Sequence, residues 1–91
     1  MENQNYTFNV DVKTQKLVTM VRATNNQAVI DKCYGQLIDD FVRQQYSQSQ
    51  VEAILNNYLD DMTNQKAIAE FTELQNYRKV CKAYAKQLLG I

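Results

Sequence analysis

The feature that most constrains this chain is a helical pattern that runs unbroken through its last third. Apolar residues recur at spacings of three and four residues across 64–89, and no proline occurs anywhere in the sequence to interrupt a helix. Gly90 follows at a position that suits a helix end. At about 1.5 Å per residue the predicted helix is roughly 40 Å long. It is longer than any other predicted element, so part of its apolar arc needs another surface to cover it.

Two shorter helices are predicted before it. The side chains of TNNQ can cap a helix over 26–45, although Gly35 lies inside it, where glycine costs up to about 1 kcal/mol relative to alanine. Ser47 and Gln50 form a capping box at the start of another helix over 47–61, and Ser49 with Glu52 is a competing frame two residues on. The link between these two helices is too short for anything but an antiparallel or sharply angled pair.

The first segment, YTFNVDVKTQKLVTM, has the pattern of a β-hairpin. Residues 6–12 alternate apolar and polar side chains, and a β-branched run returns over 17–21. The intervening DVKTQK resembles a type I turn with Gln15 in the left-handed region, so Gln15→Gly should stabilise the chain. A hairpin is marginal alone, so we expect it to cover one face of the helices and to offer its outer edge to a partner.

Together these patterns predict an α+β fold that is mostly α. An N-terminal β-hairpin over 6–22 precedes a three-helix bundle-like unit with a long C-terminal helix. The three helices are predicted over 26–45, 47–61 and 64–89. Ninety-one residues suffice for one hydrophobic core, so a single domain is expected to span 1–91.

The amino-acid composition excludes most classes of catalytic site. Histidine is absent, which excludes Ser-His and Cys-His catalysis together with histidine-based zinc sites. Cys33 and Cys81 form no CxxC motif, so we interpret them as reduced, small hydrophobic residues. Two Asp-Asp pairs, at 39–40 and 60–61, could gather around a divalent metal, but adjacent helical residues point about 100° apart. We predict a protein that is not an enzyme and has no catalytic residue, metal site or cofactor.

Charge and hydropathy point away from membranes. Ten basic and ten acidic residues cancel, so no net field would draw the chain to an anionic surface. No apolar run approaches the roughly 20 residues of a membrane-spanning helix, and the N-terminus MENQNYTF has no signal segment. We therefore expect a cytoplasmic protein that makes no membrane contact.

The charges are nevertheless segregated along the chain. Residues 26–62 carry six acids and two bases, whereas residues 63–91 carry five bases and two acids. Two copies of the last helix, packed antiparallel about a twofold axis near Asn76, would place Glu73 opposite Lys79, which predicts a homodimer. The ion pairs would fix orientation, and aromatic and apolar residues would supply affinity. The predicted partner or dimer interface consists of Glu70, Glu73, Tyr77, Val80, Tyr84, Lys79 and Lys82.

An alternative prediction uses the cationic part of the same helix. Four basic residues stand close together without an acid among them, and Tyr77 and Tyr84 could stack on bases. Cations near a helix C-terminus are favourable in themselves, however, and four are few for a nucleic-acid surface. The alternative is a small nucleic-acid or nucleotide-binding protein with a phosphate-binding stripe formed by Arg78, Lys79, Lys82 and Lys86.

The leading prediction is a small non-enzymatic protein-binding module, a homodimer through the C-terminal helix that also binds another protein. In size, amide-rich composition and lack of histidine the chain resembles small phage or mobile-element accessory proteins, including anti-CRISPR-type inhibitors, although no particular residue carries the resemblance. That resemblance implies an accessory or inhibitor role, exerted through contact with a partner protein.

Overall fold

Residues 6–91 are described by a computed structural model, and within them the chain forms four helices and no strand. The helices are α1 (Val12–Arg22), α2 (Gln27–Gln45), α3 (Gln48–Asp60) and α4 (Gln65–Leu89). The bounds of the last three differ from those predicted by at most one residue. Asn26, Ser47 and Asn64 cap them through side-chain oxygens that accept hydrogen bonds from backbone N–H groups of the first turn. Of the predicted domain, residues 1–5 lie outside the described residues.

The predicted β-hairpin over 6–22, and with it the α+β class, is wrong, because the second half of that segment is helix α1. The backbone N–H of Thr14 donates to Asp11 Oδ1 at 2.8 Å, which caps a helix where a turn was predicted. Val18 and Val21, three residues apart, are the buried side chains of α1, as a helical period requires. The described part of the chain is therefore all-α.

Residues 6–11, which precede α1, belong to no helix or strand, and we call them the strap. The predicted alternation is present in it: Tyr6, Phe8 and Val10 pack against the core, whereas Thr7 and Asn9 are exposed. Its hydrogen-bond partner across the core is a side chain of α2. The Asn9 N–H donates to Gln44 Oε1 at 2.8 Å, and Gln44 Nε2 donates to the Asn9 carbonyl at 2.9 Å. The Gln44 amide thus takes the place of a paired strand.

The core lies where α2 and α4 pack together, with the strap and α1 across them. At one end the Tyr46 hydroxyl contacts Glu73, and further along the Tyr77 hydroxyl donates to the Phe41 carbonyl at 2.6 Å. Because residue numbers rise along one helix as they fall along the other, α2 and α4 run antiparallel. The central cluster of buried residues is Val18, Val21, Cys33, Leu37, Ile38, Phe41, Tyr77, Cys81, Ala85 and Leu89.

Helix α3 packs on the first half of α4. Tyr58 of α3 stacks on Phe71 of α4, with ring centroids 4.1 Å apart and planes at 5°. No side chain of α3 is fully buried. The helix begins directly after α2, since Tyr46 is extended and Ser47 with Gln50 restarts the helix through the predicted capping box. The described chain is consequently elongated, measuring 47 × 26 × 20 Å.

The change in the free energy of unfolding caused by one substitution distinguishes helix α1 from the predicted turn. Gln15 lies inside α1, where its side-chain amide donates to the Val10 carbonyl at 2.9 Å. Gln15→Gly is expected to lower the free energy of unfolding by about 1 kcal/mol, because glycine is a poor helix former. Gln15→Ala keeps the helix and should cost clearly less. Urea unfolding followed by circular dichroism measures both, and a stabilising Gln15→Gly would contradict the helix.

Candidate protein-binding site

The predicted interface residues of α4 lie in different environments. Tyr77 is only 2% exposed and belongs to the core. Tyr84 stacks on Phe8 of the strap, with ring centroids 4.9 Å apart and planes at 20°. Val80 is half-buried, and with Tyr84 it lines a shallow groove beside the strap. The apolar arc that was predicted to need another surface over it is therefore covered in large part by the strap.

The acids and the bases of the predicted interface point to different sides of α4. Glu70 and Glu73 line a groove against α3, where the Tyr46 hydroxyl donates to Glu73 Oε1 at 3.4 Å. Lys79 and Lys82 are exposed. Since Lys79 follows Glu73 by six residues, the two side chains point about 120° apart around the helix. No single face of α4 therefore presents both Glu73 and Lys79.

Two tyrosines at the junction of α2 and α4 are held in their neutral form. Burial, with Glu73 beside the hydroxyl, raises the pKa of Tyr46 to about 12. Burial, with Cys81 nearby, also raises the pKa of Tyr77. The contribution of these groups to stability is therefore complete below the ordinary tyrosine pKa of about 10 and is lost as the pH rises above it.

We accordingly expect the free energy of unfolding to fall between about pH 10 and pH 12, because over that range the unfolded tyrosines ionise first. Tyrosinate absorbance of the folded protein should show late-titrating groups, and Tyr46→Phe should remove one of them. Tyr34→Phe is the matched control, and it should leave the late groups unchanged. If all the tyrosines of the folded chain titrated together near pH 10, this prediction would fail.

A groove of about 430 Å³ opens where the chain passes from α2 to α3, beside α4. It exists because α2 and α3 do not continue as one helix, and the extended Tyr46 sets them apart. Arg43 Nη2 donates to Gln48 Oε1 at 3.4 Å across this junction. Apolar and charged side chains line the groove, among them Ile38, Val42, Val51, Leu55, Asp39, Arg43 and Arg78. We call it the α2/α3 groove.

Charged side chains of both signs line the α2/α3 groove: Asp39 and Arg43 of α2, and Arg78 of α4. Residues four apart on a helix lie next to each other on one face. At this spacing Arg78 is followed on α4 by Lys82 and Lys86, and we call these three residues the basic row. On α2 we call Asp31 and Asp39 the acidic row, which is followed by the basic residue Arg43.

Gly35 lies between the two members of the acidic row, and nothing in the described chain packs against it. A Cβ added there would meet no atom within 4 Å. Gly35→Ala is therefore expected to raise the free energy of unfolding by up to about 1 kcal/mol. Gly90 is the contrasting position, since its φ of 71° disfavours any side chain and Gly90→Ala should destabilise. Urea unfolding compares the two, and a destabilising Gly35→Ala would contradict the open surface.

The two thiols and the carboxylates form no reactive group in the described residues. Cys33 and Cys81 are buried, and burial raises the pKa of both thiols, which keeps them protonated. Within residues 6–91 no three Cys, Asp or Glu side chains come together in a way that could hold a metal ion. No helix in the same range has the length and apolar character needed to cross a membrane.

Comparison with family models, with curated proteins and with solved structures finds no match to this chain. The α2/α3 groove therefore has to be judged from its own residues. Of these, Arg78 was predicted as a binding residue and Asp39 was considered for a divalent metal, whereas Val51 and Leu55 were not singled out. The signal that could have found the groove is the abrupt restart of the helix at Ser47, directly after a long amphipathic helix.

Proposed function

We propose that this protein is a small non-enzymatic protein-binding module that works through the α2/α3 groove and forms a homodimer in which α4 takes part. The observation that carries the proposal is an open groove in which Val42, Val51 and Leu55 lie beside charged side chains. Burial of these apolar side chains would supply affinity, and the charges at the edges of the groove would orient the partner.

The proposed role is that of a cytoplasmic accessory or inhibitor protein, of the kind that phages and mobile elements encode. It is supported by the small size and the amide-rich composition, since neutral amides can make hydrogen bonds to a partner without the desolvation cost of ions. Such a protein acts by covering a surface of its target.

A charge placed in the α2/α3 groove tests this function. Leu55→Asp puts a carboxylate on the groove wall, and Met20→Asp puts the same group on α1, where Met20 is 71% exposed. Size-exclusion chromatography with light scattering measures self-association, and affinity capture from the source cell with mass spectrometry measures partner binding. We expect Leu55→Asp to lose both, with an unchanged circular dichroism spectrum, and Met20→Asp to keep both. A Leu55→Asp chain that still dimerised and captured the same proteins would refute the proposal.

A second candidate function is binding of nucleic acid through Lys79 and the basic row. The four-residue spacing of that row favours it, because aligned cations can follow a line of phosphates. Asp39 in the same groove opposes it, and Tyr77 and Tyr84 pack against the strap rather than standing free to stack on bases. Binding to DNA or RNA that falls steeply with added salt and disappears in Lys79→Ala/Lys82→Ala would favour this function over protein binding.

A further inference from the structure

We propose that the strap accepts an extended segment of a partner protein along its open edge, in a shallow groove of about 440 Å³ beside α4. The groove lies between the strap, at Thr7 and Phe8, and the α4 residues Val80, Ala83 and Gln87. We call it the strap groove. It is separate from the α2/α3 groove, so the inference goes beyond the proposed function.

The strap has one backbone edge that is paired and one that is open. Its side chains alternate between half-buried and exposed from Tyr6 to Val10, which is the period of an extended chain. In an extended chain the backbone N–H and carbonyl groups of successive residues point to opposite edges. Those of Asn9 are both bonded to Gln44. Those of the preceding Phe8 therefore point to the other edge, where no described residue bonds to them.

The open edge of the strap borders the strap groove. Helices α2 and α4 are antiparallel, and they meet where the Tyr77 hydroxyl donates to the Phe41 carbonyl. Gln44 lies beyond Phe41 in the direction in which α4 residue numbers fall, whereas the α4 residues of the groove are numbered above Tyr77. The paired edge and the groove therefore lie on opposite sides of the strap, and the backbone groups of Phe8 face the groove.

An extended backbone is the occupant that this groove fits. The unpaired N–H and carbonyl of Phe8 match a carbonyl and an N–H of an added strand, as in peptide recognition by strand addition. None of the described residues that line the groove is charged, so a charged segment would lose hydration there without gaining an opposite charge.

The side chains of the strap groove define the chemistry of that segment. Val80 and Ala83 offer an apolar surface, and Gln87 adds an amide of the kind with which Gln44 holds the strap. Alternate side chains of an added strand point to the same face, so every second one would lie on α4. The fitting partner is therefore an uncharged extended segment with apolar side chains at alternate positions.

Nuclear magnetic resonance of the labelled full-length chain tests the pairing, with a short capped peptide of alternating threonine and valine as the probe. We expect the Phe8 amide proton to move downfield and to exchange more slowly with water as the peptide is added, because it gains a hydrogen bond. The Asn9 amide, already bonded to Gln44, should keep its position. The same peptide with methylated backbone nitrogens keeps its side chains but cannot pair, so it should bind at least ~10-fold more weakly.

A substitution in the strap groove tests the place of binding. Ala83→Arg puts a long cation on an exposed position of the groove and should raise the peptide dissociation constant at least ~10-fold. Ala69→Arg is the matched control, because it makes the same change at an exposed position of α4 outside the groove, and it should leave the constant unchanged. If Ala83→Arg does not fold, the methylated peptide still decides.

The inference is overturned by a Phe8 amide that does not respond at about 10 mM peptide, by equal binding of the methylated peptide, or by equal effects of Ala83→Arg and Ala69→Arg. A peptide that shifts the Asn9 amide as strongly as that of Phe8 would have displaced the strap instead of pairing with it, and this result would also overturn the inference.

Discussion

Phe41→Ala is expected to lower the free energy of unfolding by about 3–5 kcal/mol, a large fraction of the roughly 5–15 kcal/mol that small domains possess. Phe41 is 1% exposed, and its ring lies 4.9 Å from that of Phe8 and 5.3 Å from that of Tyr84, centroid to centroid. Its removal would leave a cavity that the strap, α2 and α4 bound together. Because three elements meet there, none of them can relax into the space without leaving another contact.

Urea unfolding followed by circular dichroism measures this effect, and Val29→Ala is the matched control. Val29 lies on the same helix but is 43% exposed, so its truncation should change the stability by no more than about 0.5 kcal/mol. A loss below about 1.5 kcal/mol for Phe41→Ala would show that the core can close around the missing ring, in conflict with this packing.

The bounds of the last three helices were predictable because they depend on local chemistry. Asn26, Ser47 and Asn64 accept hydrogen bonds from N–H groups two or three residues ahead, so their capping role needs no distant contact. Gly90 ends α4 in the same local way, in the left-handed region. Asp11 offers the same signal for α1, but the β-branched residues that follow it favoured a strand.

The structure of the strap was predicted wrongly because it depends on distant contacts rather than on local chemistry. A period of two says which side chains turn inward, but it does not say what they pack against. Tyr6 and Phe8 satisfy that period equally well over a second strand and over the surface of two helices. The deciding contact is made by Gln44, 35 residues from Asn9 in sequence, and no local window contains it.

Only part of the candidate site could be predicted from the sequence. The lysines of α4 could be predicted as exposed because they fall off its apolar stripe, and the same period places Tyr77 on that stripe and in the core. The α2/α3 groove depends instead on how α3 leaves the end of α2 at Tyr46. Val51 and Leu55 have the pattern of ordinary core residues, and the geometry of that junction is what keeps them half-exposed.

Phe8→Ala is expected to lower the free energy of unfolding by about 2–3 kcal/mol, less than Phe41→Ala because the Phe8 ring is only half-buried. The strap is held by two rings and by the Gln44 amide, so loss of the Phe8 ring removes its central contact. The freed strap should also become cleavable by protease. Thr7→Ala is the matched control, since Thr7 is exposed and its truncation should cost no more than about 0.5 kcal/mol.

The comparison of these two variants decides which surface of α4 a partner can use. If Phe8→Ala destabilises and Thr7→Ala does not, the apolar arc that includes Tyr84 belongs to the folded monomer, which favours binding through another surface such as the α2/α3 groove. If Phe8→Ala costs no more than Thr7→Ala, the strap is not bound. The arc around Val80 and Tyr84 would then be open, and the interface first predicted on α4 would become the stronger candidate.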